Sequence, residues 1–250
     1  MDKRRVIFIL LIFSVIAIFG PTFPVLPAKK QFAVVMLVVL AILATRLVPD
    51  LERLRRTKLA ALARKLNLRF NPDNDFKLAE RYSFLNRLRQ GDSRYAFNVL
   101  NGDHEGHQVF VFDYHFAGYC EGGGKAHVQH YYSSAFILEL DACFPELTIV
   151  RESWRTRFTN AIDSSDVVFE SAEFSQAFYV RSKDKKFAYD VCNAQMMEYL
   201  LANQNLSIEN ENNALALAFD SWLSPKDLEL NLAHLREIRL RLPDYLFTRV

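Results

Sequence analysis

Two nearly unbroken apolar runs sit within the first fifty residues, and no other feature limits the fold as strongly. Val6–Phe19 reads VIFILLIFSVIAIF, and Phe32–Leu43 reads FAVVMLVVLAIL. A helix that crosses the hydrocarbon layer takes about 20 apolar residues, or about 17 at the short end. The first run reaches that length by including Gly20-Pro21 and the residues up to Pro27. The second reaches it with Arg46 snorkelling toward the interface. The sequence therefore predicts a transmembrane hairpin over residues 1–48. Its spans lie at about 6–27 and 31–48, joined by a Pro-containing turn around Pro21–Lys30. A cleaved leader fits less well, because no small-x-small site follows the first run and a second apolar run comes directly after it.

Charge separates the chain into two parts. Residues 1–66 hold 12 Lys/Arg against 3 Asp/Glu, and residues 67–250 hold 19 against 26, so the overall +2 is the sum of +9 and −7. Lys3, Arg4 and Arg5 precede the first run, and Arg46, Arg53, Arg55, Arg56 and Lys58 follow the second. That bias places both termini in the cytoplasm and the turn on the outer side of the membrane. Three cysteines without a spacing pattern suit a reducing compartment. An acidic folded part argues against nucleic acid as a partner, since phosphate would repel it.

Residues 49–66 form a basic amphipathic connector. Leu51, Leu54, Leu59, Leu62 and Leu66 share one helical face, with Arg53, Arg56 and Arg64 on the other. Pro49 is expected to end the membrane helix before it. Two uses fit this pattern. The leucines insert into the inner leaflet while Arg53, Arg56, Lys58 and Arg64 bind anionic lipid, or the leucine face packs on the folded domain.

Residues 67–250 read as one α+β domain with antiparallel sheet and two or three packed helices, with a further split into halves near 150–165 left open. His107–Phe116 alternates strictly. Phe110, Phe112, Tyr114 and Phe116 face one side, and Val109, Val111, Asp113 and His115 face the other. Turns are expected at Asn101-Gly102-Asp103, at Pro145 and at Asn212-Asn213, and Ala117–Lys125 is expected to be a loop. Ser171–Ala177 reads as a single helical turn, and Asp184 and Ser224 read as helix caps, the first opening a helix over Lys185–Asn203. Pro225 and Asp227 strengthen the second.

The one compositional anomaly is histidine. Five of six lie within residues 104–130: His104, His107, His115, His127 and His130. A hairpin closed by the Ala117–Lys125 loop would bring His115 near His127 or Gln129. His115, Asp113 and His127, with Cys120 or Glu121, would then make a ligand set for zinc or another divalent ion. No HExxH or CxxC spacing accompanies it. No cofactor is otherwise indicated. Gly122-Gly123-Gly124-Lys125 lacks the first glycine and the Ser/Thr of a phosphate loop, and no GxSxG nucleophile is present.

Several phrases carry a resemblance: Asn98-Val99-Leu100-Asn101-Gly102, Val109–Tyr114 with its Phe-Asp-Tyr, Phe174, Phe178 and Val180, and Phe187-Ala188-Tyr189-Asp190-Val191 with Met196–Leu201. In these the chain resembles a loose group of bacterial membrane-anchored proteins of unknown function, over about residues 50–245. The resemblance implies an N-terminal hydrophobic pair, a basic connector and a folded region, and no catalytic residue. The expectation is a membrane-anchored binding, adaptor or sensing module with lipid and protein partners. A membrane-tethered metal-dependent hydrolase and an anionic-lipid sensor stand as alternatives.

Overall fold

A strand of twenty-seven residues, Lys125–Arg151, organises the molecule. The computed structural model describes residues 27–122, 125–153 and 165–248. Within it the strands are β1 (Arg69–Asn71), β2 (Asp92–His104), β3 (His107–Gly122), β4 (Lys125–Arg151), β5 (Asp166–Val167), β6 (Phe178–Arg181) and β7 (Ile208–Phe219). They form a seven-stranded antiparallel sheet of order β1-β2-β3-β4-β6-β5, with β7 also paired to β4. On one edge β4 pairs with β3 and, further along, with β6. On the other edge it pairs with β7, from Ser134 to Ile149.

The α+β class with antiparallel sheet expected from sequence is present, and the faces read from β3 are those of the fold. Val109 and Val111 belong to one buried cluster with Phe136, Leu138 and Leu217. Phe110, Phe112 and Tyr114 belong to a second with Ala135 and Ile137. The helices α1 (Ala28–Lys65), α2 (Phe76–Arg81), α3 (Ala172–Ala177), α4 (Lys185–Val191), α5 (Ala194–Ala202) and α6 (Pro225–Arg241) complete the fold. α4, α5 and α6 bury Phe187, Met196, Leu200, Leu232 and Leu235 in the first cluster. α2 and the segment after it bury Leu78, Tyr82, Leu85 and Leu88 in the second.

Three turn expectations are corrected. The β2–β3 turn falls at Glu105-Gly106, not Asn101-Gly102. Both residues have positive φ (+54° and +85°), which a two-residue hairpin turn of this kind requires. Asn212 (φ +53°) is left-handed, yet it lies inside β7, opposite Phe144 at a register shift; it makes a bulge where the sequence suggested a hairpin. Pro145 lies inside β4 at that same irregularity, where the ladder does not need its missing N–H. The expected Ala117–Lys125 loop is strand as far as Gly122.

The two helix caps read from the sequence, Asp184 and Ser224, are in place, and Ser171 caps the helical turn expected there. Ser171, Asp184 and Ser224 accept the backbone N–H of Phe174, Phe187 and Asp227. The expected helix over Lys185–Asn203 is two helices, because Asn193 takes an extended conformation and caps α5. Ser224 and Asp227 form a reciprocal capping box. Ser224→Ala should cost about 1 kcal/mol, read as a lower urea midpoint at unchanged slope.

The N-terminal part departs furthest from expectation. The first apolar run, Val6–Phe19, lies outside the described residues. Among the described residues no helix is long and apolar enough to cross a membrane. The transmembrane hairpin, and with it the assignment as an integral membrane protein, is therefore not supported. The apolar stretch Phe32–Leu43 rises about 18 Å as a helix, against about 30 Å of hydrocarbon. Lys29 and Lys30 precede it within α1, and Arg46, Asp50 and Glu52 follow within the same helix. Pro49 does not end that helix either, since proline removes only one bond from the ladder.

By backbone contacts the chain divides into Met1–Thr57 and Lys58–Val250. The last eight residues of α1 belong to the second unit. There Leu59, Leu62 and Ala63 are buried, with Leu66 packed against them. Those leucines are used by the domain core and cannot insert into lipid. Leu51, Leu54, Arg53, Arg56, Lys58 and Arg64 remain exposed.

Candidate functional site

One end of the first sheet face gathers histidine and aromatic side chains. Register places Tyr95 opposite His115 and His115 opposite Tyr132, Phe97 opposite Asp113 and Asp113 opposite Ser134, and Ala117 opposite His130. Residues opposite one another share a face. Tyr95 stacks on His115 with ring centroids 4.4 Å apart, and His130 stacks on its other neighbourhood at 5.1 Å. Tyr132 packs beside His115 at 5.0 Å and meets Trp222 edge-on at 5.1 Å. Phe97 touches both Tyr132 and Trp222. His115 is buried, whereas Tyr132 and Trp222 keep 36% and 43% of their surface exposed. The patch thus has a closed polar floor and an open aromatic rim.

The protonation of the floor follows from its partners. His115 Nδ1 lies 3.1 Å from the Ser93 carbonyl oxygen, which can only accept, so Nδ1 carries the proton. In the neutral ring Nε2 is then an acceptor, and His130 Nδ1, 2.9 Å away, is the donor to it. Burial pushes the His115 pKa below its ordinary value. The Ser93 carbonyl opposes that and the nearby His130 adds to it.

Asp113 is fully committed beneath the rim. Asn98 Nδ2 donates to its Oδ2 at 2.8 Å and Ser134 Oγ donates to its Oδ1 at 3.2 Å. Asn98 reaches it from a left-handed backbone (φ +50°) at the bulge in β2. Ser134 Oγ in turn accepts the N–H of Leu223 at 3.1 Å, which fixes the segment carrying Trp222. A buried carboxylate with fixed donors is a structural anchor for the rim, not an open ligand.

The sequence-derived metal set is not brought together. His115 lies opposite Tyr132 and His127 lies opposite Cys120, on the other face of the sheet and five rungs away, about 17 Å along the strand. Metal ligands must converge to about 2 Å from one ion. Among the described residues no group of three or more His, Cys, Asp or Glu is placed to hold a metal. The side chains of Cys120 and Glu121 lie outside the described ones. Tyr95, Tyr132, His130 and Trp222 were not singled out as a site by sequence reasoning. Even-numbered parity along β4 could have grouped His130, Tyr132 and Ser134, but nothing local signals Trp222.

Fold and patch together define a class: an antiparallel α+β domain with a long central strand, presenting an aromatic surface. No protein-family model matches the chain, and no curated protein matches it. Among solved structures it is similar to the crystal structure of the mycobacterial trehalose monomycolate transport factor A, TtfA. The TM-score is 0.54 at 14% identity, over 75% of this chain and 96% of that one. The likeness is one of fold.

Proposed function

We propose that the domain is a binding or adaptor module that docks a protein partner on the aromatic rim of Tyr95, Phe97, Tyr132 and Trp222. One observation carries this reading: the polar groups beneath the rim are spent on one another, while Tyr132 and Trp222 stay exposed and fixed in place. Rigid, half-exposed Tyr and Trp are the side chains that dominate protein interfaces, since they bury much area at little entropic cost. The net charge of −7 over residues 67–250 favours a partner segment that is apolar and basic, and an arginine or lysine can sit over the Tyr132 or Trp222 ring. The similarity in fold to a transport factor is compatible with such a role. Nothing in the placement of His115, His127 and Asp113 favours hydrolysis.

The test is a photo-crosslinking residue at position 222 of the full chain, with the captured protein identified by mass spectrometry. A crosslinker at Leu230, also exposed, serves as control. Trp222→Ala should then weaken binding of the captured protein at least tenfold, about 1.4 kcal/mol, with the thermal midpoint nearly unchanged. Capture at 222 no stronger than at 230 would remove the proposal.

A further inference from the structure

Two neutral imidazoles that meet at 2.9 Å, as His115 and His130 do, need one donor and one acceptor between them. His115 Nδ1 is tied to the Ser93 carbonyl, so its Nε2 lone pair is the acceptor and His130 Nδ1–H the donor. His130 is exposed, and a proton added at its Nε2 leaves that contact intact. It turns the bond into a charge-assisted one. A further proton has to enter at His115 Nε2. That nitrogen then faces the His130 Nδ1–H donor to donor, and the bond is lost.

His115 is also the pivot of the rim. Tyr95 stacks on it, Tyr132 packs beside it, and Trp222 meets Tyr132 edge-on. Its side chain is 3% exposed, so an imidazolium pushed off His130 cannot turn to water without moving these rings. Among the described residues, the titratable groups that share this face are Tyr95 from β2, Asp113 from β3, and His130 and Tyr132 from β4. Asp113 is held by Asn98 and Ser134. The segment after β7 brings Trp222, while its Asp220 is paired with Arg87. Burial holds the proton off His115, the Ser93 carbonyl favours it, and His130 opposes it.

We propose that the His115–His130 pair is an acid-operated latch on the aromatic rim, which holds the rim fixed with no added proton or with one and lets Tyr132 and Trp222 move when it takes two. The use of the latch rests on the rim being the docking surface. With two added charges the rim repels the apolar and basic partner segment that the neutral rim accepts, so docking is released in acid.

The experiment is a pH titration of the full-length protein from about pH 8 to about pH 4, without a partner. The protein is labelled with nitrogen-15 in histidine and tryptophan and followed by NMR. Trp222→Phe tells the Trp222 indole resonance from that of Trp154, the other tryptophan of the sequence. Two steps are expected, the first at His130 Nε2 and the second at His115 Nε2, and the Trp222 indole resonance moves with the second alone. His130→Gln keeps an N–H donor for His115 but takes no proton. The His115 midpoint should therefore rise by at least about half a pH unit, the repulsion of two unit charges about 5 Å apart even at the dielectric constant of water. A Trp222 resonance that ignores the His115 step overturns the proposal. So does an unchanged His115 midpoint in His130→Gln, or unfolding by circular dichroism before His115 takes its proton. These outcomes are independent of crosslinking at position 222. Capture there without a latch leaves the rim reading standing, and a latch without capture removes the rim reading alone.

Discussion

Phe136→Ala is expected to remove about 3–5 kcal/mol of folding stability, the cost of truncating a fully buried aromatic side chain. Phe136 has no exposed surface and sits in the middle of β4, opposite Val111 on one side and Leu217 on the other. It meets Phe219 edge-on with centroids 5.7 Å apart. The loss has two sources, the apolar area no longer buried and the void left by a ring that its neighbours on three strands cannot refill. A domain of this size is stable by about 5–15 kcal/mol, so the substitution consumes a large share of the total. Urea denaturation of both proteins measures it as a fall in midpoint at constant slope. A loss below about 1 kcal/mol would show that the sheet and the α4–α6 layer close over the void, contrary to close packing. Trp222→Ala provides the internal contrast, because that ring is part-exposed and its removal opens no enclosed space.

Glu209→Gln should act in the opposite direction, and only above about pH 5. Glu209 is buried in β7 beneath the segment after α2, where its two carboxylate oxygens accept the Arg87 N–H at 3.2 and 3.4 Å. Burial pushes its pKa up to about 7. The Arg87 charge and the backbone N–H groups of Arg87 and Asn86 pull against that rise, and Glu146 adds to it. Between an unfolded pKa near 4.5 and a folded one near 7, the native state holds a proton that the unfolded chain has lost. Stability therefore falls as pH rises through this window, by about 3 kcal/mol in all. Glutamine retains a carbonyl oxygen for the Arg87 N–H and has no charge to bury. His115 and His234, both with lowered pKa values, contribute a rise over part of the same range. The measurement is accordingly the difference between wild type and variant. That difference should be near zero at pH 4 and approach about 3 kcal/mol in favour of the variant at pH 8. A pH-independent difference would show that Glu209 titrates alike in the folded and unfolded chain, so that burial does not raise its pKa.

Local patterns in the sequence were sound guides wherever the structure is local. The alternation from Val109 to Phe116 gives the two faces of β3 because side chains in a strand must alternate. Asp184 and Ser224 cap helices because a short polar side chain satisfies an N–H that the helix leaves open. Residues with two local uses were ambiguous. Asn212 and Pro145 suit turns and bulges alike, and only the paired strands decide, since β4 and β7 bend together there. Pairing of His115 with Tyr132 depends on where the β3–β4 ladder closes, and a strand reaching Gly122 shifts that point to the far end of the expected loop. Trp222 joins the rim because the N–H of the next residue, Leu223, donates to Ser134, eighty-nine residues before Leu223, for which no sequence period exists. At the N-terminus the first apolar run lies outside the described residues, and for the second the charges embedded in α1 leave an apolar stretch too short to cross.

The long central strand has one more consequence. β1, β2 and β3 reach β5, β6 and β7 through β4, and among the described strands the sheet has no second route between these groups. Nor can a nick after Arg151 release an autonomous C-terminal fragment, because β6 and β7 would lose the template to which both are hydrogen-bonded. The domain is built as a keel with planking on either side. Evolutionary change by shuffling or fission is closed to such an architecture, whereas lengthening of its outer strands and of the connections between them is open.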